Sequence, residues 1–255
     1  DCADVLEYLA TDPATQAILL YLESIGDAPK FLTAARAAAR AKPILAVKAG
    51  RVGEGAQAAY SHTGALAGVD AVFAAALRRA GILRVDTVED LFTAVETLAR
   101  TRPLPGERLS ILTNGGGPGV MATDALVLRG GGLASLTAAT LQQLNRLLPA
   151  NWSHGNPVDI IGDAPPERYL QTLRVLLDDP GADAVLFLHS PSAIVPSEEI
   201  ARVLAPVMAA TQRNVLTCWL GGESTLPARH ICASAGIPTY DSPEDAIAAF
   251  LQMVN

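Results

Sequence analysis

The run Ser61-His62-Thr63-Gly64-Ala65-Leu66-Ala67-Gly68 sets one imidazole between two hydroxyls, just ahead of an apolar helical pattern. It reads as a short polar loop. That is a poor setting for a core histidine and a good one for a histidine that becomes covalently modified. A neutral imidazole is a competent nucleophile near neutral pH, and histidine forms covalent intermediates. Ser61 and Thr63 could orient the ring or a phosphoryl oxygen, and Gly64 relaxes the backbone. Glu23 ends the apolar run 18–22. A carboxylate there could hold one ring nitrogen of an imidazole and leave the other free to attack, or it is a solvated strand-end charge. Lys48-Ala49-Gly50-Arg51 ends another apolar run with two cations beside a glycine. They are electrostatic support for a bound phosphate, or ordinary end-of-strand charges.

A second stretch, Asn114-Gly115-Gly116-Gly117-Pro118-Gly119, follows an apolar strand and opens a helix. Backbone amides of Gly115, Gly116, Gly117 and Gly119 could cradle an anion there; the other reading is a tight turn with close strand–helix packing. Gly117 to Ala122 also fits G-x-G-x-x-A, the start of a dinucleotide fingerprint. That fingerprint needs an acidic residue about twenty positions on, and no Asp or Glu occurs between Asp124 and Asp159. No Gly-Lys-Ser/Thr follows, so the Walker pattern fails as well. His154 lies in a polar loop, His189 ends a strand and could face a crevice, and His230 sits mid-helix. The spacing of the four histidines suits no metal site, and there is no G-x-S-x-G nucleophile elbow.

Parallel α/β architecture must position these residues. Apolar runs at 17–22, 44–47 and 82–85 alternate with Ala-rich helical segments at 34–40 and 67–80, and with a helix over 88–98 that Thr87 can cap. Continuous apolar strands between helices predict parallel sheets covered on both faces. Thr101 to Arg108 breaks the pattern with two prolines, a glycine and charges. The alternation then restarts, with strands expected at 109–113, 133–136, 157–161, 184–189, 215–220 and 238–240. The reading is two flavodoxin-like three-layer α/β/α domains with mostly parallel sheets: residues 1–102, a linker at 103–108, and residues 109–255. The first opens directly on a helix, so it is expected to lack its N-terminal strand.

The 255 residues are half apolar with few aromatics, and carry a net charge of −7. That suffices for proper cores. No dense Lys/Arg stripe marks a nucleic-acid or anionic-membrane partner. No apolar run is long enough to span a bilayer. Cys2, Cys218 and Cys232 form neither a C-x-x-C pair nor a zinc pattern, which points to buried, reduced thiols in a cytoplasmic protein. Little aromatic surface is available to stack a flavin, and no acidic cluster suits a receiver phosphosite.

Taken together, Lys48 to Arg51 with Ser61 to Gly68, then Thr113 to Gly119 and Asn156-Pro157-Val158-Asp159, resemble the NDP-forming acyl-CoA synthetases, relatives of succinyl-CoA synthetase. The resemblance covers the whole chain. It implies that His62 is transiently phosphorylated, that Glu23 pairs with it, and that Gly115 to Gly119 form one of two helix N-termini cradling the phosphohistidine. It also implies CoA, ATP/ADP and Mg as substrates of a larger enzyme with no permanently bound cofactor. Acyl-CoA or acyl phosphate, a CoA-binding domain and an ATP-grasp domain would be the partners, and a homo-oligomer stays open. The segments 79–85, 189–193 and 236–240 resemble the synthetase-like region of long protein acetyltransferases. The alternative this implies is a non-catalytic, acyl-CoA-sensing regulatory region.

Overall fold

The computed structural model describes residues 1–63 and 68–254, with His62 and Thr63 described only by their place in a helix. Two compact units divide the chain, residues 1–99 and 100–255.

The first unit runs α1 (Cys2–Thr11), β1 (Ile18–Leu22), α2 (Ala28–Ala39), β2 (Ile44–Lys48), α3 (Gly53–Thr63), α4 (Asp70–Ala80), β3 (Leu83–Val85) and α5 (Val88–Arg100). Among the described residues its sheet has the order β1-β2-β3, with both pairs parallel. Side chains alternate across β2. Ile44 and Ala46 join Leu6, Phe31, Ala35, Leu77 and other residues of α1, α2 and α4 on one face. Leu45 and Val47 meet Leu91 and Ala94 of α5 on the other. Every residue of β2 is therefore buried, as expected for a central parallel strand. Helix starts follow local chemistry: Asp27 caps α2 through Lys30 N and is followed by Pro29 in its first turn. Gly81, at φ +77°, ends α4 in the left-handed region.

The second unit runs β4 (Arg108–Thr113), α6 (Gly116–Leu128), β5 (Gly132–Leu133), α7 (Ala138–Leu147), β6 (Val158–Asp159), α8 (Pro166–Asp178), β7 (Ala184–His189), α9 (Ser197–Ala210), β8 (Asn214–Trp219), α10 (Leu226–Ser234), β9 (Thr239–Tyr240) and α11 (Pro243–Val254). Its described strands are all parallel, in the order β5-β4-β7-β8-β9, with β6 paired to the end of β4. Val185 and Phe187 face a core built with Tyr169, Leu173, Leu204 and Trp219. Leu186 and Leu188 face Leu126, Ile247 and Phe250 on the other side. The result is an α/β fold with parallel sheets between helical layers.

Three expectations change. Ser61, His62 and Thr63 end α3 rather than lying in a loop. The Ala- and Gln-bearing stretch before them is a good helix former and carries the helix through the polar residues. Gly64 lies outside the described residues. Arg108, assigned to the linker by its charge, opens β4, where its backbone N–H and guanidinium both bond Asp183. Finally, β5, β6 and β9 are two-residue strands, shorter than their apolar runs.

Candidate functional site

In the first unit, the carboxyl ends of three parallel strands bring charged groups together. This is the edge at which open α/β sheets build sites. Glu23 follows β1 and is half-buried. Lys48 ends β2 and is only 2 % exposed. Its ammonium donates to the Ala49 carbonyl and lies 5.2 Å from the centre of the Phe73 ring. Burial pushes this lysine below its usual range; Asp70 opposes the shift, Arg84 reinforces it and Glu23 opposes it. Arg84 on β3 donates through its Nη2 to both oxygens of the Asp70 carboxylate, at 2.7 and 2.8 Å. That contact, above all, holds the Asp70 carboxyl below the ordinary range. Arg51 reaches Asp86 at 2.6 Å and Asp70 at 3.9 Å.

The two cations singled out in the sequence, Lys48 and Arg51, are thus held by protein groups rather than presented bare. Arg84 and Asp70, which carry the network, were not singled out, because a strand arginine and a first-turn aspartate look ordinary until the fold joins them. Ser61 donates its hydroxyl to the Gln57 carbonyl, 3.0 Å away on the preceding turn. Its proton is therefore not aimed at an imidazole. His62 falls in the last turn of α3. The positions of the His62 and Thr63 side chains, and Gly64 as a whole, lie outside the described residues.

The second unit organises the glycine turn. Gly115 takes an extended conformation (φ −144°) as the N-cap of α6, with no side-chain cap on the helix. The first-turn amides of Gly116 and Gly117 therefore point out of an exposed helix start. Gly119 differs: its N–H goes to the Gly115 carbonyl. It is there for packing, since a Cβ would sit 3.2 Å from Thr113 Cγ2 and 3.3 Å from Pro157 Cβ. Thr113 Oγ1 braces the turn by donating to Gly115 O and accepting from Gly115 N, at 2.9 and 3.1 Å.

Two further segments close around this turn. Asn114, 5 % exposed, donates to the Ser190 carbonyl at 2.8 Å and accepts from the Ser190 N–H at 2.9 Å. The clamp joins the carboxyl ends of β4 and β7. Those strands flank the point where the strand order reverses, since the chain leaves β4 for β5 on one side and later returns to β7 on the other. Crevices at such switch points are the preferred ligand positions of doubly wound sheets. Ser190 Oγ lies 3.2 Å from a Cβ placed on Gly115, and Asp159 Oδ2 lies 3.3 Å from one placed on Gly116. Larger residues at 115 and 116 would close this space.

His189 does not face the crevice. It is fully buried, with Nε2 3.0 Å from Ser197 Oγ and Nδ1 3.3 Å from Tyr169 Oη, among Phe187 and Trp219. Burial lowers its pKa to about 4, so it is a neutral core histidine. Burial likewise pushes the Cys218 and Cys232 thiols up to about 12, whereas Cys2, expected to be buried with them, is exposed on the first turn of α1. No group of three or more His, Cys, Asp or Glu among the described residues could hold a metal ion, and no described helix is long and apolar enough to cross a membrane.

Residues 1–98 match the succinyl-CoA ligase like flavodoxin domain, and residues 109–219 match the Ligase-CoA domain. An acetate–CoA ligase [ADP-forming] I of Archaeoglobus fulgidus is 40% identical over 98% of this chain and 35% of its own length. The alpha subunit of an acetate–CoA ligase [ADP-forming] II of Pyrococcus furiosus is 37% identical over 100% of this chain and 56% of its own length. The solved structure of Ca. Korarchaeum cryptofilum dinucleotide forming acetyl-coenzyme A synthetase 1, in complex with phosphate and ADP, superposes with a TM-score of 0.91 at 32% identity. It covers 99% of this chain and 55% of that one. The chain thus spans between a third and just over half the length of these relatives. With both domains matched in order, the chain is a succinyl-CoA ligase like flavodoxin domain followed by a Ligase-CoA domain.

Proposed function

We propose that this chain is the phosphoryl-relaying part of an ADP-forming acyl-CoA synthetase. His62 carries the phosphoryl group between the nucleotide and the acyl substrate. In the direction of acyl-CoA formation, a ring nitrogen of His62 attacks the terminal phosphorus of ATP. An N–P bond forms, the P–O bond breaks and ADP leaves. The acid's carboxylate then takes the phosphoryl group, giving an acyl phosphate. The CoA thiol displaces phosphate from the acyl carbon, losing its proton to solvent. Every step is reversible.

Glu23 has the role of holding the imidazole and balancing its charge after the N–P bond forms. Gly116 and Gly117 offer amides to the phosphoryl oxygens, with Gly115 and Gly119 shaping the turn. Lys48 and Arg51 hold the charge network at the strand ends. Catalysis of this kind consists mainly of positioning and charge stabilisation. The nucleotide, CoA and Mg would be bound mainly by domains beyond this chain. The observation that carries the reading is an uncapped glycine turn at a topological switch point, in a chain that also holds the Ser-His-Thr-Gly sequence on an α/β unit.

The test is labelling of the full-length protein with ATP carrying labelled γ-phosphate. The expected result is an acid-labile, base-stable adduct that is absent in His62→Ala. Equal labelling of that variant would refute the assignment.

A further inference from the structure

Beyond the proposed relay, on which this inference rests, we infer that Asp159 limits how tightly the glycine turn holds a phosphoryl group and so keeps the group transferable. Asp159 ends β6, paired with Thr113 at the end of β4. Two hydrogen bonds fix it. Its N–H donates to Ser153 Oγ at 2.9 Å, its Oδ1 accepts from Ile161 N at 2.9 Å, and its Oδ2 lies over Gly116 at the mouth of the turn.

The loop beyond it is held in an uncommon conformation. Ile161 has φ +70°, a left-handed backbone that a β-branched residue adopts at a cost. Such strain persists only where the surroundings impose it, and it concentrates at functional positions. Here it accompanies a turn that brings Gly162 against the Asn114 carbonyl and leaves Asp159 Oδ2 directed at Gly116. The nearby cation, Arg168, bonds Asp163 and the Ile160 carbonyl.

A carboxylate beside a helix start is stabilised by the peptide dipoles. A phosphoryl dianion in the same place would meet both the favourable amides and an adjacent negative oxygen, and two like charges in close proximity oppose each other. Equal tightening of every bound state lowers KM without raising kcat. For a relay it would also trap the phosphoenzyme. A fixed carboxylate at the cradle counters that trap.

The experiment compares Asp159→Asn and Asp159→Ser with the wild type in the full-length protein, with inorganic phosphate as the probe. The Asn variant keeps an oxygen for the Ile161 N–H and replaces Oδ2 with a donor. The Ser variant keeps a short acceptor and removes the charge. Calorimetric titration should show phosphate binding about tenfold tighter in the neutral variants. KM for phosphate and kcat should fall together, and the melting temperature should stay near that of the wild type. A correctly folded neutral variant that binds phosphate no more tightly than the wild type overturns the inference. So does failure of both variants to fold, which would make the residue purely structural. Wild-type protein that takes no label on His62 sinks the relay reading instead, and the phosphate comparison is read separately from it.

Discussion

Replacing Asn156 tests how the second unit holds its site, because this side chain stands in for a missing piece of strand. Along one edge of β4, β5 pairs with Arg108 and Leu109, and β6 pairs with Leu112 and Thr113. Between them the Asn156 amide accepts from Ile111 N and donates to Leu109 O and Ala134 O, all at 2.9 Å. Asn156→Ala leaves the Ile111 N–H without this acceptor at a fully buried residue. Leu109 O keeps its bond from Ala134 N, so the donor carries most of the penalty. One orphaned buried donor plus weakened carbonyls costs about 2–4 kcal/mol, against a typical total stability of about 5–15 kcal/mol. With a urea dependence near 2 kcal/mol/M, the midpoint falls by about 1–2 M.

Tryptophan fluorescence isolates the right transition, since the two tryptophans, Trp152 and Trp219, both lie in this unit. The control is Asn156→Asp. It keeps an acceptor for Ile111 but turns a carboxylate oxygen toward two carbonyls, so it destabilises at least as much at neutral pH. It should recover partly in acid, when a carboxyl O–H can donate. A midpoint shift below about 0.3 M for the Ala variant, or wild-type stability for the Asp variant, would refute the reasoning.

Three other outcomes are expected. His189 has an ordinary pKa of 6.5 unfolded and about 4 folded, so the unfolded chain binds the extra proton between those values. Its contribution is complete above about pH 6.5 and is lost as pH falls toward 4, on the order of 3 kcal/mol in all; the pH slope of the urea midpoint should flatten in His189→Gln, and an unchanged slope would exclude the assignment. Asp183 is held below the carboxylate range chiefly by its bond to Arg108, so the stability it supplies is present at neutral pH and lost as pH falls below the ordinary carboxylate range; Arg108→Ala should lower the urea midpoint at neutral pH by the same fluorescence assay and weaken that acid dependence, the backbone N–H of residue 108 keeping part of it. Gly119→Ala gains helix propensity but presses on the braced Thr113 and the rigid Pro157, for a net loss of about 1–2 kcal/mol, and phosphoenzyme formation should slow with it; a more stable variant would show that the packing yields.

The layered architecture was legible because it follows from burial. A strand covered on both faces must be apolar throughout, as in 184–188, and the helices between such strands carry one apolar side. What was not legible depended on partners distant in the chain. The short strands β5 and β6 leave a gap along β4 that the Asn156 side chain fills, and nothing local says that an asparagine completes a sheet. The last turn of α3 was missed for a related reason. Ser, His and Thr favour caps and loops when alone, but a helix already nucleated by the preceding residues extends through them at little cost.

The candidate site divides along the same line. The glycine turn was visible in the sequence as an anion cradle or a tight packing turn, and Gly119 has the packing use. Its working parts are long-range: Asn114 grips Ser190, seventy-six residues away, and Asp159 arrives on a strand whose pairing with Thr113 places its carboxylate over Gly116. Lys48 and Arg51 read as electrostatic support for a bound phosphate or as ordinary end-of-strand charges, because isolated cations at strand ends have no visible partner in a sequence. Folding supplies those partners. Asp70 and Asp86 take up Arg51, and Asp70 and Glu23 offset the burial of Lys48. A charge network closed in this way can hold a strand end rigid but has little free positive charge to spend on a ligand. In the proposed relay, the binding of phosphoryl oxygens would then fall to the peptide amides, whose partial charges lack a side-chain cap at the start of α6.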